Sequence, residues 1–309
     1  MNYFTKDKPY NSLNEYYKKK YKTKIAKISI NASFTCPNKD GTKSTLGCSF
    51  CSKSGSGDFA GNKELSIKEQ FIEIKQVMDK KWKNTKYILY FQANSNTYAS
   101  LDKLKQIYGE ALKIDNVVGI DIATRSDCLS EEIVKYLSEL NKITDITVEL
   151  GLQTSNEKTK ELINRQETNK EFINAVKLLR KYKIEVVCHI INGLPYETKE
   201  DMLKTIDFIN DLDIQGIKFH SLLVLKNTRL EDEYNEKKFH ILSLEEYVDI
   251  VTSQIVKLKP SIIIHRLSAD SSIEDLICPS WTRKKLVVMN EIDKKLRKEN
   301  LYQGKDWSK

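Results

Sequence analysis

The chain has no apolar run approaching the ~18–20 residues that span a bilayer. Its first residues, Met1 to Lys8, lack the apolar stretch of a secretory signal. It has no low-complexity segment and no close internal repeat. Hydrophobic residues make up 40% and charged residues 30%, which excludes a disordered or fibrous chain. A soluble, cytoplasmic protein is therefore expected, and 309 residues allow one large domain or two ordinary ones. Arginine is scarce as well: only seven of the 51 basic residues are Arg, against 43 acidic residues and a net charge of +8. Such a lysine excess fits an anionic partner such as RNA, and equally a set of solvated helices in a lysine-rich proteome. The mixed basic and aromatic runs Lys20–Lys24 and Lys80–Lys83 are too short to decide between them.

What the chain does have is a rhythm. Apolar, β-branched runs occur at Ile25–Ile30, Lys86–Phe91, Val117–Ile122, Ile146–Leu150, Ile184–Ile191 and Ile214–Phe219, with helical patterns between them. Near-continuous apolar strands alternating with helices imply parallel strands covered by helices. Ser66–Glu69, Thr168–Glu171 and Ser243–Glu246 each read as a capping box. The apolar stripe that follows (Ile67, Phe71, Ile74 and Met78 in the first case) reads as core packing. A Rossmann sheet would want a glycine-rich turn after the first strand, and a cysteine loop stands there instead. The expected fold is therefore α/β, a partial (β/α)6 barrel over residues 25–235. An N-terminal segment (1–24) precedes it, and a C-terminal α/β extension (236–309) packs on it. That extension should hold a helix (Leu244–Leu258), a short strand (Ser261–Ile264) and a final basic helix (about Trp281–Lys298). Barrel chemistry gathers at the C-terminal strand ends. Unusual polar residues stand there: Gln92–Thr97, Thr124–Cys128, Glu149–Thr154, His189–Pro195 and His220-Ser221.

Three of the six cysteines, Cys36, Cys48 and Cys51, fall within one loop. Cys-x-x-Cys lets two sulfurs face one metal centre, and Gly41 and Gly47 give the loop freedom to bring Cys36 round. Thiolates suit zinc and iron–sulfur clusters. Structural zinc wants four protein ligands, and no fourth lies nearby in sequence. A redox Cys-x-x-Cys has no use for Cys36. A [4Fe–4S] cluster held by three cysteines leaves one iron open to a substrate or cofactor. All three readings stand on loop chemistry alone. Cys128, Cys188 and Cys278 lack mutual spacing for a second cluster and read as small buried residues.

Cys36-Pro-Asn-Lys-Asp-Gly-Thr and Gly47-Cys-Ser-Phe-Cys51 are followed by Ser54-Gly-Ser-Gly-Asp-Phe-Ala-Gly61, Tyr90-Phe-Gln-Ala93, Asn96-Thr-Tyr98 and Ala123-Thr-Arg125. Val148-Glu-Leu-Gly-Leu-Gln153, His189-Ile-Ile-Asn-Gly-Leu-Pro195, Lys218-Phe-His220, His265-Arg-Leu267 and Gln303-Gly304 come further on. Over nearly the whole chain this resembles the radical SAM superfamily, specifically its YhcC/YtqA-type family. The resemblance implies a [4Fe–4S] cluster on Cys36, Cys48 and Cys51, with S-adenosylmethionine on the open iron. An electron donor such as flavodoxin or ferredoxin would reduce the cluster, and a 5′-deoxyadenosyl radical would attack the substrate.

It further implies that Gln92, Asn94, Ser95 and Thr124 lie around the methionine end of the cofactor. Gln153 corresponds to the ribose contact, with Glu149 near the ribose or paired with a lysine. Arg165 corresponds to the carboxylate partner, and Asn192, Gly193 and Leu194 to the adenine-lining segment. Two departures stand out: Arg165-Gln166-Glu167 replaces the family's usual Arg-Gly-His, and Leu46-Gly47 replaces Gly-Gly.

The YtqA-like branch is linked to tRNA wobble-uridine modification, from carboxymethylaminomethyl toward aminomethyl at C5. By that resemblance tRNA is the expected partner. Arg125, Lys218, His220, His265 and Arg266 are then the candidates to face the nucleotide or its carboxylate. His189 reads equally as a packed or a catalytic histidine. The alternatives are a radical SAM enzyme for a small molecule or peptide, and a non-catalytic zinc-bound RNA-binding protein.

Overall fold

A computed structural model of the chain describes residues 4–83 and 85–308. The first three residues of the N-terminal segment and the last of the C-terminal extension lie outside the described residues. Each apolar run forms a strand: β1 (Ile25–Ile30), β2 (Lys86–Phe91), β3 (Val117–Thr124), β4 (Asp145–Gln153), β5 (Glu185–Asn192) and β6 (Gly216–Ser221). Helix α1 (Leu13–Tyr21) precedes them. Their crossovers are α2 (Ile67–Asp79), α3 (Leu101–Ala111), α4 (Glu131–Leu140), α5 (Glu157–Leu162) with α6 (Asn169–Lys181), and α7 (Lys199–Asn210). All three capping boxes close as anticipated, at Ser66, Thr168 and Ser243. A fourth, Thr198 with Asp201, starts α7. Each such cap stabilises its helix by about 1 kcal/mol.

Beyond β6 come β7 (Val224–Leu225), α8 (Arg229–Asn235), α9 (Leu244–Lys257), β8 (Ile263–Arg266), β9 (Leu276–Cys278) and α10 (Lys285–Lys298). The extension does more than pack on the sheet. Its strand β8 pairs parallel with β6 as a seventh strand, giving the order β1-β2-β3-β4-β5-β6-β8. Among the described residues β1 and β8 share no ladder, so the curled sheet is a half-barrel. Helix α1 packs against both open edges. The N-terminal segment also pairs along β8, where Ile264 donates its N–H to the Asn11 carbonyl at 2.7 Å.

Helices cover the outside of the sheet over a buried apolar core that includes Ile28, Leu89, Ile120, Val148, Val186 and Ile217. The inside of the curl is different: Lys27, Asp121, Glu149 and Lys218 face one another there across four strands. Buried charges demand partners, and these find them in each other. Lys27 pairs with Asp121 and lies 3.1 Å from Glu149, while Lys218 pairs with the second Glu149 oxygen. Among the described residues no helix is long and apolar enough to cross a membrane.

Candidate active site

One cavity of about 370 Å³ opens at the C-terminal strand ends, inside the curl. Cys36, Cys48 and Cys51 line it, and so do Lys218, His220 and Arg266. Gln92, Asn94, Ser95, Thr124, Arg125, Glu149, Gln153 and Arg165 line it as well.

The cysteine loop is held from outside the loop. Asn38 donates through Nδ2 to the Asn164 carbonyl at 2.7 Å, and the same nitrogen lies 3.4 Å from Cys48 Sγ. Asn164 donates back to the Gly47 carbonyl at 2.7 Å, and Ser49 N–H reaches the Ile163 carbonyl at 2.9 Å. Lys39 ties down the Ser52 carbonyl at 2.8 Å. Gly47 takes a left-handed backbone (φ +70), which glycine adopts without strain.

Arg165 follows this anchor. Its guanidinium donates to the Gly151 carbonyl at 2.5 Å, pairs with Glu167 at 2.6 Å, and brings Nη1 to 4.0 Å from Cys48 Sγ. Its buried Nε has no partner. Glu167 is also capped by Ser126 at 2.5 Å. The departure Arg165-Gln166-Glu167 thus supplies a buried counter-ion for the arginine beside the cysteines.

Gln153 reaches the cavity through a bulge. Opposite β5, Gly151 pairs with His189 and Gln153 with Ile190, so β4 carries an extra residue. Bulges re-aim side chains, and Gln153 pays in strain with φ +67. On β2's end, Gln92 donates to the Ser56 carbonyl at 2.7 Å and Asn94 to the Phe34 carbonyl at 3.0 Å. Thr124 shares a hydroxyl contact with Thr97 at 2.6 Å.

Several of the remaining candidate residues have partners of their own. Arg125 lines the cavity with its guanidinium already partnered. It forks onto Asp127 at 2.8 and 2.7 Å and donates to the Arg165 and Gln166 carbonyls, both at 2.9 Å. It thereby ties down the Arg165 loop. Asn192, Gly193 and Leu194 are not among the cavity-lining residues. The Asn192 amide exchanges two 2.8 Å hydrogen bonds with Gln254 of α9, and Leu194 is buried with Ile163, Leu222, Val224 and Leu230. His265 does not line the cavity either. It is the extra residue of β8, and its ring lies over Gly216, where an added Cβ would meet Nε2 at 2.6 Å. Glu149 pairs with lysines, and His189 Nε2 sits 2.8 Å from its carboxylate. Burial works against the Glu149 charge, but Lys218 and Lys27 hold its carboxyl well below the usual range. Of the remaining cysteines, Cys128 and Cys188 are buried and Cys278 only half-buried. Sequence reading missed Asn38, Asn164, Glu167 and Asp127. Asn38, Asp127 and Glu167 lie in stretches that the reading singled out, and Asn164 does not.

A cluster with S-adenosylmethionine fits this donor set. Burial pushes the Cys51 thiol up to about 11, and the neighbouring Cys48 and Cys36 thiols add to the rise, so the three sulfurs share one field. Among the described residues no three His, Cys, Asp or Glu side chains converge on a single metal ion. A four-iron cluster needs no such convergence, since each thiolate binds a different iron. The cavity volume is that of a site for one small ligand, and Arg165 keeps an unpartnered donor beside it.

The sequence profile of the radical SAM superfamily matches residues 40–209, and that of the radical SAM C-terminal domain residues 214–298. The chain belongs to the radical SAM superfamily, a class of enzymes whose members bind a [4Fe–4S] cluster and S-adenosylmethionine. Within it the chain stands with YtqA and YhcC. It is 44% identical to the Bacillus subtilis protein YtqA, over 98% of this chain and 94% of that one. It is 30% identical to Escherichia coli YhcC, over 92% of this chain and 91% of that one. A shorter similarity, 28% identity over 46% of this chain and 27% of the relative, is to a tRNA uridine(34) acetyltransferase of Methanocaldococcus jannaschii. In fold, the chain resembles Methanocaldococcus infernus Elp3 (TM-score 0.69, 18% identity), covering 91% of this chain and 64% of that one.

Proposed function

We propose that the chain holds a [4Fe–4S] cluster through Cys36, Cys48 and Cys51 and modifies the C5 side chain of the wobble uridine in tRNA, from carboxymethylaminomethyl toward aminomethyl. The observation that carries this reading is one cavity lined both by the three thiols and by Lys218, His220 and Arg266. When bound, the cluster and S-adenosylmethionine supply a 5′-deoxyadenosyl radical, which takes a hydrogen atom from the substrate. The chain's own residues bind and orient. Arg165, backed by Glu167, holds the methionine carboxylate as a charge-assisted pair. Gln153 can donate and accept at once toward the ribose hydroxyls. Gln92, Asn94, Ser95 and Thr124 enclose the methionine end. An external donor such as flavodoxin or ferredoxin supplies the electron.

The tRNA part is supported by the similarity of part of the chain to a tRNA uridine(34) acetyltransferase. It is also supported by a net charge of +8, which suits a phosphate backbone. The same reading makes this a cytoplasmic enzyme. Reconstituted protein, S-adenosylmethionine, a reductant and tRNA bearing the carboxymethylaminomethyl precursor are incubated, and the nucleosides are analysed by mass spectrometry. Conversion of the precursor supports the reading. An unchanged precursor alongside formation of 5′-deoxyadenosine contradicts it.

A further inference from the structure

One part of the cavity wall is built from three adjacent strands. His189 of β5 pairs in register with Lys218 of β6, and Lys218 pairs with Arg266 of β8. The second pairing exists only because β8 carries His265 as an extra residue, which shifts the register and brings Arg266 beside Lys218. Lys218 and Arg266 both line the cavity, as do His220 and Ser221. The His220 Nε2 and Ser221 Oγ atoms are buried there without hydrogen-bond partners.

The charges around this part of the wall do not balance. Lys27 and Lys218 share Asp121 and Glu149, and Arg266 and Lys285 share Asp270. Four basic side chains therefore meet three carboxylates, and burial brings Lys218 among them down to about 7. The histidines add no charge. Burial and the positive charge of Lys218 bring His189 down to about 4, and burial, His189, Arg266 and Lys218 hold His220 well below its ordinary value. Asp270 stands at the cavity wall, 3.3 Å from Arg266 and 2.6 Å from Lys285. An isolated carboxylate between two cations occupies the position that an acidic ligand would take.

We propose that Lys218, His220 and Arg266 form a carboxylate-binding subsite for the acidic end of the substrate side chain, and that Asp270 is the internal counter-ion that releases Arg266 to it. The subsite rests on the tRNA reading only for which molecule carries the carboxylate. Asp270 then competes with substrate, so removing its charge strengthens binding of an acidic ligand. A merely structural ion pair predicts no such gain.

The four histidines of the chain make the test direct. Cluster-loaded protein is titrated with acetate while the imidazole signals are followed by NMR. His240, exposed and paired with Glu246, serves as the internal control. The His220 signals are expected to move and those of His240 to stay. Asp270→Asn should reach half-saturation at several-fold lower acetate than wild type, Arg266→Gln at several-fold higher, and Arg266→Lys between wild type and Arg266→Gln. An acetate-insensitive His220 overturns the subsite. So does a shift in the same direction for Asp270→Asn and Arg266→Gln. In a second arm, an anticodon stem-loop carrying carboxymethylaminomethyluridine is compared with one carrying aminomethyluridine. Asp270→Asn should widen the preference for the acid. If the acetate order holds and neither RNA is preferred, the uridine reading fails and the subsite stands.

Discussion

The Arg165 guanidinium lies 4.0 Å from the Cys48 sulfur, and Glu167 holds it there from the other side at 2.6 Å. The loop that carries the thiols and the loop that carries the arginine are also stitched together by the Asn38–Asn164 exchange. A group bound at the cysteines would therefore find its carboxylate partner already fixed in place, with no entropy left to lose on binding.

Glu167 is the counter-ion of this arrangement. Removing one partner of a buried pair costs about 3–5 kcal/mol, because the other charge is left uncompensated. Glu167→Gln should lower the thermal midpoint markedly and raise the KM for S-adenosylmethionine at least tenfold, with the iron content after reconstitution unchanged. A variant with wild-type KM would show that Arg165 needs no counter-ion to bind the cofactor.

The bulge of β8 depends on glycine at position 216. An added Cβ would meet His265 Nε2 at 2.6 Å and Val187 Cγ2 at 3.0 Å. Gly216→Ala should destabilise the protein by about 1–3 kcal/mol, the usual cost of overpacking. It should also weaken acetate binding in the titration above, since the bulge sets Arg266 beside Lys218. Denaturant unfolding with the same titration checks both effects. Unchanged stability would mean that the ring moves away without penalty.

Much of the frame was legible in the sequence. Strands β1 and β2 fall on the apolar runs Ile25–Ile30 and Lys86–Phe91, because strands covered on the outside by helices must be apolar nearly throughout. The capping box at Thr198 escaped notice because its third helical residue is Asp201, not Glu or Gln. Of the charges inside the curl only a lysine partner for Glu149 was legible, as one of two readings. Lys27, Asp121, Glu149 and Lys218 lie on four different strands, and nothing in one dimension pairs them. The register shift that leaves His265 as the extra residue of β8 was not legible either, since one inserted residue moves a side chain to the other face. The fork of Arg125 onto Asp127, two residues on, was not anticipated.

Glu197 gives the fold a pH dependence of its own. It accepts a 2.5 Å hydrogen bond from Thr154, and burial raises its carboxyl to about 7. The folded state therefore binds a proton that the unfolded chain gives up near its ordinary value of 4.5. Its contribution to stability is complete below pH 4.5 and is lost as pH rises to about 7. Glu197→Gln should raise the thermal midpoint relative to wild type more at pH 8 than at pH 5. An equal difference at both values would contradict an elevated carboxyl here.

The central claim is that Cys36, Cys48 and Cys51 hold a cluster at which S-adenosylmethionine is cleaved. Wild type and Cys48→Ala are reconstituted anaerobically side by side, and iron content, absorbance near 400 nm and 5′-deoxyadenosine formation are measured. Wild type should bind about four irons per chain and form 5′-deoxyadenosine under reducing conditions. Cys48→Ala should lose most of the iron and all of the cleavage. Equal 5′-deoxyadenosine formation by both proteins, or one zinc and no iron in wild type, would contradict the account.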